Sequence, residues 1–94
     1  MNSLEKEKSL KMEVENKTIR RNLYRVLRKT GVQKEAIKEN ASFNEDLFFD
    51  TVDWKIFTYY LENIFKVTFK DEELSRLKSI DDTLSLVMRY YYLN

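Results

Sequence analysis

Apolar residues recur at helical spacing in four stretches of this chain. In the first, Ile19, Leu23, Val26 and Leu27 follow one another at steps of four, three and one, which places them on one side of a helix and sets the arginines on the other. The pattern predicts a helix from Met12 that stops at Gly31, where a residue without a side chain takes the left-handed geometry of a helix end at little cost. The second stretch, about Thr51 to Lys66, turns Trp54, Phe57, Leu61, Ile64 and Phe65 inward and carries Val52, Ile56, Tyr59 and Tyr60 around its outer side. The third is short: Asp71-Glu72-Glu73 favours a helix start through the dipole, and Leu74 and Leu77 face inward. Ser79-Ile80-Asp81-Asp82 has the Ser-x-x-acid form of an N-terminal cap, and Leu84, Val87 and Met88, broadened by Leu86 and Tyr90 to Tyr92, predict a fourth helix to about Tyr91. The terminal tyrosines are expected to pack against the first helix.

Residues 32–50 form a long connection. Its apolar residues Val32, Ile37, Phe43 and Leu47 are too frequent for a disordered linker and are expected to pin it to the bundle, with a turn of helix in Glu35 to Asn40. Residues 1–11 read as a polar N-terminal tail and 12–94 as one helical domain. The fold class expected is an all-α four-helix bundle with a long loop between the first two helices and a short third helix.

Composition agrees. One Gly and no Pro in 94 residues disfavour a fold of many tight hairpins. Cys and His are absent, which removes disulfides, thiolate and imidazole metal ligands and the commonest nucleophile and base pairs, so catalysis by this chain is not expected. Acid pairs such as Glu45-Asp46 and Asp81-Asp82 lack the alternating ligands and central glycine of a calcium loop, and no resident metal is expected. No apolar run approaches the roughly 20 residues that cross a bilayer, and the charged N-terminus lacks a signal-peptide core; the expected location is cytoplasmic.

The net charge of +1 divides sharply along the chain. Residues 1–30 hold nine Lys or Arg against four Glu, net +5; residues 31–94 hold eight against twelve Asp or Glu, net −4. Arg20, Arg21, Arg25, Arg28 and Lys29 make either a solvated helix face or a contact for an acidic partner or an anionic membrane, with nucleic acid the least favoured partner.

The run Glu39 to Trp54, Glu-Asn-Ala-Ser-Phe-Asn-Glu-Asp-Leu-Phe-Phe-Asp-Thr-Val-Asp-Trp, resembles the attachment region of acyl carrier proteins, with Asp50-Thr51-Val52 where that family commonly has Asp-Ser-Leu. The resemblance covers roughly residues 18 to 88. Gly31-Val32 is similar to the family's Leu-Gly-Val, Leu61-Glu62-Asn63-Ile64-Phe65 to its Leu-Glu-x-x-Phe, Phe69-Lys70-Asp71-Glu72-Glu73 to its Ile-Pro-Asp-Glu-Glu, and Ser79-Ile80-Asp81-Asp82 to the start of its last helix.

The resemblance implies a non-catalytic carrier of acyl intermediates in fatty-acid, polyketide or specialised biosynthesis. Its cofactor would be phosphopantetheine, attached through Thr51 and flanked by Asp50, Val52 and Asp53; a phosphopantetheinyl transferase would activate the hydroxyl. Acyl-transferring or condensing enzymes would be its partners, and Ile56, Tyr59, Tyr60, Glu62 and Asn63 the candidate docking residues. Threonine adds a methyl group beside the attacking oxygen, and Phe48 and Phe49 stand where the family has small residues, often glycine. The alternative is an unmodified interaction or regulatory module that uses the outer face of the second helix, or a homodimer through it; there, Asp50 or Thr51 serves as a helix cap. Phe43, Phe57, Phe65, Phe69, Leu74 and Leu77 are expected to fill the interior, leaving room for short or aromatic cargo, or holding cargo outside.

Overall fold

The computed structural model describes residues 3–93, with side chains described for Glu13 and for Glu15 to Tyr92. Helices are α1 (Ser3–Thr30), α2 (Thr51–Phe65), α3 (Asp71–Ser75) and α4 (Ile80–Leu93), with one 3-10 turn at Lys34–Ala36; among the described residues there is no strand, only an isolated bridge between Ser42 and Ser79. The four helices match the expected all-α architecture, down to the short third helix.

The first helix starts at Ser3 rather than Met12, so residues 3–11, expected as a polar tail, are helical. Seven of these nine residues are Leu, Glu or Lys, which favour helix, and Glu7 stands four residues before Lys11, a pairing that stabilises one. Residues 1, 2 and 94, the ends of the expected tail and domain, lie outside the described residues.

Inward residues of α1, α2 and α4 and of the connections form one core. Ile19, Leu23, Val26 and Leu27 of α1 meet Phe57, Leu61 and Phe65 of α2 and Leu84, Leu86 and Val87 of α4. Val32, Ala41 and Phe43 bring the long connection down onto them, and Phe69 and Leu77 close the side around α3. Gly31 ends α1 at φ 105°, and Val32 N–H donates back to the Leu27 carbonyl at 3.0 Å. The expected helical turn in Glu35 to Asn40 is the 3-10 turn at Lys34–Ala36, shifted one residue toward the N-terminus.

The terminal tyrosines divide among three elements rather than lying together on α1. Tyr92 donates to Asn16 Oδ1 of α1 at 2.6 Å; Tyr90 donates to the Glu73 carboxylate of α3 and packs its ring 4.9 Å from Phe69; Tyr91 meets Phe65 edge-on at 6.1 Å. Bound to Tyr90 and to the Lys70 N–H, Glu73 is held below the usual carboxylate range, and the same bond pushes the Tyr90 hydroxyl up.

Candidate functional site

The connection from α1 to α2 is an ordered strap. Its middle is hydrogen-bonded to the start of α4: Phe43 N–H donates to the Lys78 carbonyl at 2.9 Å, Ile80 N–H to Ala41 at 3.0 Å and Asp81 N–H to Glu39 at 2.8 Å. Asp46 Oδ2 accepts from Ser42 N–H at 2.7 Å and Ser42 Oγ from Glu45 N–H at 3.1 Å, which coils residues 42–46 into a tight bend.

The two phenylalanines that follow part company. Phe49 turns inward and packs at 5.1, 5.3 and 5.6 Å from the rings of Phe43, Trp54 and Phe57. Phe48 sits at φ 55° with its side chain 76% exposed. A backbone that must cross to positive φ explains why glycine suits the position; phenylalanine holds the same geometry against its own Cβ.

Asp50 then caps α2. Its Oδ1 accepts from Asp53 N–H at 2.8 Å, and Asp53 Oδ2 accepts from Asp50 N–H at 3.0 Å, a reciprocal box that satisfies two backbone donors with two aspartates. Between the two stands Thr51, the first residue of the helix, exposed and outside this pair of bonds. Of the two caps considered from sequence, the structure uses Asp50. The Thr51 hydroxyl is left without a capping duty.

Beside Thr51 runs an open groove of about 970 Å³ between α2, α3 and the strap. Phe43, Phe49, Trp54, Tyr59, Leu74 and Leu77 give it apolar walls. Lys55, Thr58 and Glu62 share the Thr51 side of α2, and Lys78 adds a second ammonium. The expectation of a filled interior therefore holds for the centre of the bundle, where Phe43, Phe57, Phe65 and Phe69 are buried, and fails at its α3 side, where Leu74 is half-buried against the groove. Sequence reasoning passed over Lys55 and Thr58. The signal was available, because steps of four, seven and eleven from Thr51 put Lys55, Thr58 and Glu62 on one helix side.

The residues expected to dock partners separate into two groups. Ile56, Tyr59 and Asn63 share the outer face of α2 with Val52: Val52 is 61% exposed, Tyr59 63% and Ile56 38%, and Asn63 donates to the Tyr59 carbonyl at 2.7 Å on its own helix. Tyr60 turns toward α1, half-buried, with the Lys29 ammonium 5.5 Å from its ring centroid. Glu62 is committed elsewhere: its Oε2 accepts from Phe69 N–H at 2.7 Å and steadies the turn into α3. Among the described residues, no three acidic, His or Cys side chains gather as a metal site, and no helix is long and apolar enough to cross a membrane.

The chain thus forms a four-helix bundle with a strapped long loop, an exposed hydroxyl at the start of the second helix and an adjoining groove. A solved structure of a candidate acyl carrier protein from Mycobacterium tuberculosis shares this fold, with a TM-score of 0.62 over 80% of this chain and 96% of that one, at 21% identity. No family model matches the chain. By sequence it is 34% identical over 58 residues to the acyl carrier protein of Kocuria rhizophila, 62% of this chain and 72% of the relative, and 34% identical over 56 residues to that of Lactobacillus acidophilus, 60% and 70%. The acyl carrier protein of Chloroherpeton thalassium is 29% identical over 63 residues, 67% of this chain and 79% of the relative. The chain belongs to the acyl carrier protein family, whose members carry acyl groups and do not catalyse; it is not an enzyme.

Proposed function

We propose that this protein carries acyl intermediates on a phosphopantetheine arm attached to Thr51, in fatty-acid, polyketide or specialised biosynthesis. The observation that carries the reading is the division of labour at the start of α2: Asp50 and Asp53 cap the helix between themselves, and the hydroxyl between them remains exposed. When bound, the arm supplies a thiol on a flexible tether that holds acyl groups as thioesters. Thr51 Oγ1 is the attachment atom, with the two carboxylates and the exposed Val52 on either side of it. The groove takes in the cargo: Trp54 and Leu74 shield its apolar part from water, while Thr58 and Lys55 meet polar groups nearer the arm.

Acyl-transferring and condensing enzymes, together with the transferase that installs the arm, dock on the outer face formed by Val52, Ile56, Tyr59 and Asn63. Tyr60 and Glu62 contribute by holding α2 in place.

Incubation with coenzyme A and a broad-specificity phosphopantetheinyl transferase, read by intact mass, tests the arm. The parent chain gains one phosphopantetheine, Thr51→Ser gains it faster because the methyl group is gone, and Thr51→Ala gains none. Failure of both hydroxyl-bearing chains to react removes the carrier reading.

A second reading, an unmodified interaction module or a homodimer through α2, is favoured by the apolar character of that outer face. Thr51→Ala separates the two: it leaves partner capture or dimerisation intact in the module and abolishes arm attachment in the carrier.

A further inference from the structure

The basic side of α1 has no use in the carrier reading. Between residues 16 and 30 the chain holds six Lys or Arg, at 17, 20, 21, 25, 28 and 29, and no Asp or Glu. Three of the six are engaged with the bundle: Arg20 pairs with Glu39, Arg28 donates to the Val32 carbonyl at 3.2 Å, and Lys29 lies over the Tyr60 ring. Lys17, Arg21 and Arg25 have no ion pair, hydrogen bond or ring contact among the described residues. They recur at every fourth position, continue into Arg28, and lie directly opposite the buried Ile19, Leu23, Val26 and Leu27. Like charges at four-residue spacing destabilise a helix, and of these three only Lys17 has an acid at that spacing on α1, Glu13; Arg21 and Arg25 have none.

We infer that this stripe docks on an anionic phospholipid surface. A plane touches a helix along a line, and the cations form one row, eleven residues from Lys17 to Arg28, or about 17 Å at 1.5 Å per residue. Tyr24 lies in the same row and is exposed, an amphipathic ring of the kind that settles at the headgroup level. A stereospecific protein partner would need a buried aromatic or apolar anchor at the centre of the contact, and the row offers no cluster of that kind. A nucleic-acid groove encloses a helix on several sides, whereas α1 has its inner side packed on the bundle. Guanidinium groups suit phosphate oxygens, and the acidic remainder of the chain, net −4, lies on other elements. Contact would be peripheral and sensitive to salt.

The test uses the full chain without an arm, so it stands or falls independently of Thr51. Vesicles of phosphatidylcholine containing about one third phosphatidylglycerol are compared in sedimentation with phosphatidylcholine alone, at low and high salt. Binding to the anionic vesicles only, lost at high salt, is expected. Arg21→Glu/Arg25→Glu lowers it at least about tenfold, each cation near such a surface contributing about fivefold. Lys66→Glu/Arg76→Glu changes net charge equally, on exposed residues of other elements, and leaves it within about twofold. Equal loss in both double variants, equal binding to neutral vesicles, or retention of duplex DNA or poly-glutamate with no vesicle binding would each overturn the assignment.

Discussion

Helices α2 and α4 begin with the same device and put it to different uses. At α4, Asp82 Oδ2 accepts from the N–H groups of Lys78 and Ser79 at 2.8 and 3.0 Å, and Ser79 Oγ accepts from Asp82 N–H at 3.3 Å, beside the backbone bonds that tie the strap to this point. At α2 the two bonds of the Asp50 and Asp53 box are exposed to solvent. One cap joins two segments of the fold, and the other only starts a helix and leaves its neighbour's hydroxyl free. Reciprocal capping thus indicates where a helix begins; what surrounds the cap decides whether that point is structural or available for chemistry.

Removing what the two caps share has the largest effect. Phe43, in the strap, is buried and touches Phe49, Trp54 and Phe57, and Phe43→Ala should cost about 3–5 kcal/mol in urea unfolding, loosening both helix starts together. Asp82→Ala should cost about 1–2 kcal/mol, because two N–H groups lose a charged acceptor, against about 1 kcal/mol for Asp50→Ala, which strands one exposed donor. The contrast also carries a pH signature. Bonds from the N–H groups of Lys78 and Ser79 hold the Asp82 carboxyl below its ordinary value, so its stabilisation is complete above the unfolded-state range and is lost as pH falls through the lower folded value. Asp82→Asn should therefore flatten the acid limb of a thermal-melt series, and an unaltered limb would count against the structural role of that cap. Replacing Phe48 with Gly relieves a positive φ at little loss of packing and should stabilise the domain by about 0.5–1 kcal/mol. Smallest of all, Thr51→Ala should shift stability by less than about 0.5 kcal/mol while abolishing arm attachment; a larger loss would mean that the hydroxyl is structural.

Much of this comparison was legible beforehand. Ser79 with Asp82, and Asp50 before a helical run, announce caps because short polar side chains at fixed offsets have few other uses. The inward stripes of α1, α2 and α4 were readable from spacing, and every α1 residue so assigned is buried. The beginning of α1 was not, since no apolar stripe at helical spacing marks residues 3–11 in the sequence. The groove escaped notice because empty space belongs to no residue: Leu74 and Leu77 read as filler, yet Leu77 is buried while Leu74 stands at an open wall. Phe48 and Phe49 look equivalent in the sequence, and only the sign of a backbone angle sends one outward. The bond from Phe69 N–H to Glu62 was not legible, because it depends on how the chain turns after α2.

The strap's bonds to Lys78, Ile80 and Asp81 have a consequence for synthesis. These residues leave the ribosome after Thr51 does, so a nascent or shortened chain ending before them exposes the threonine with no partners for Glu39, Ala41 and Phe43. Order around Thr51 thereby awaits synthesis of residues 78–81, and an enzyme that reads the shape of this region would act only after them.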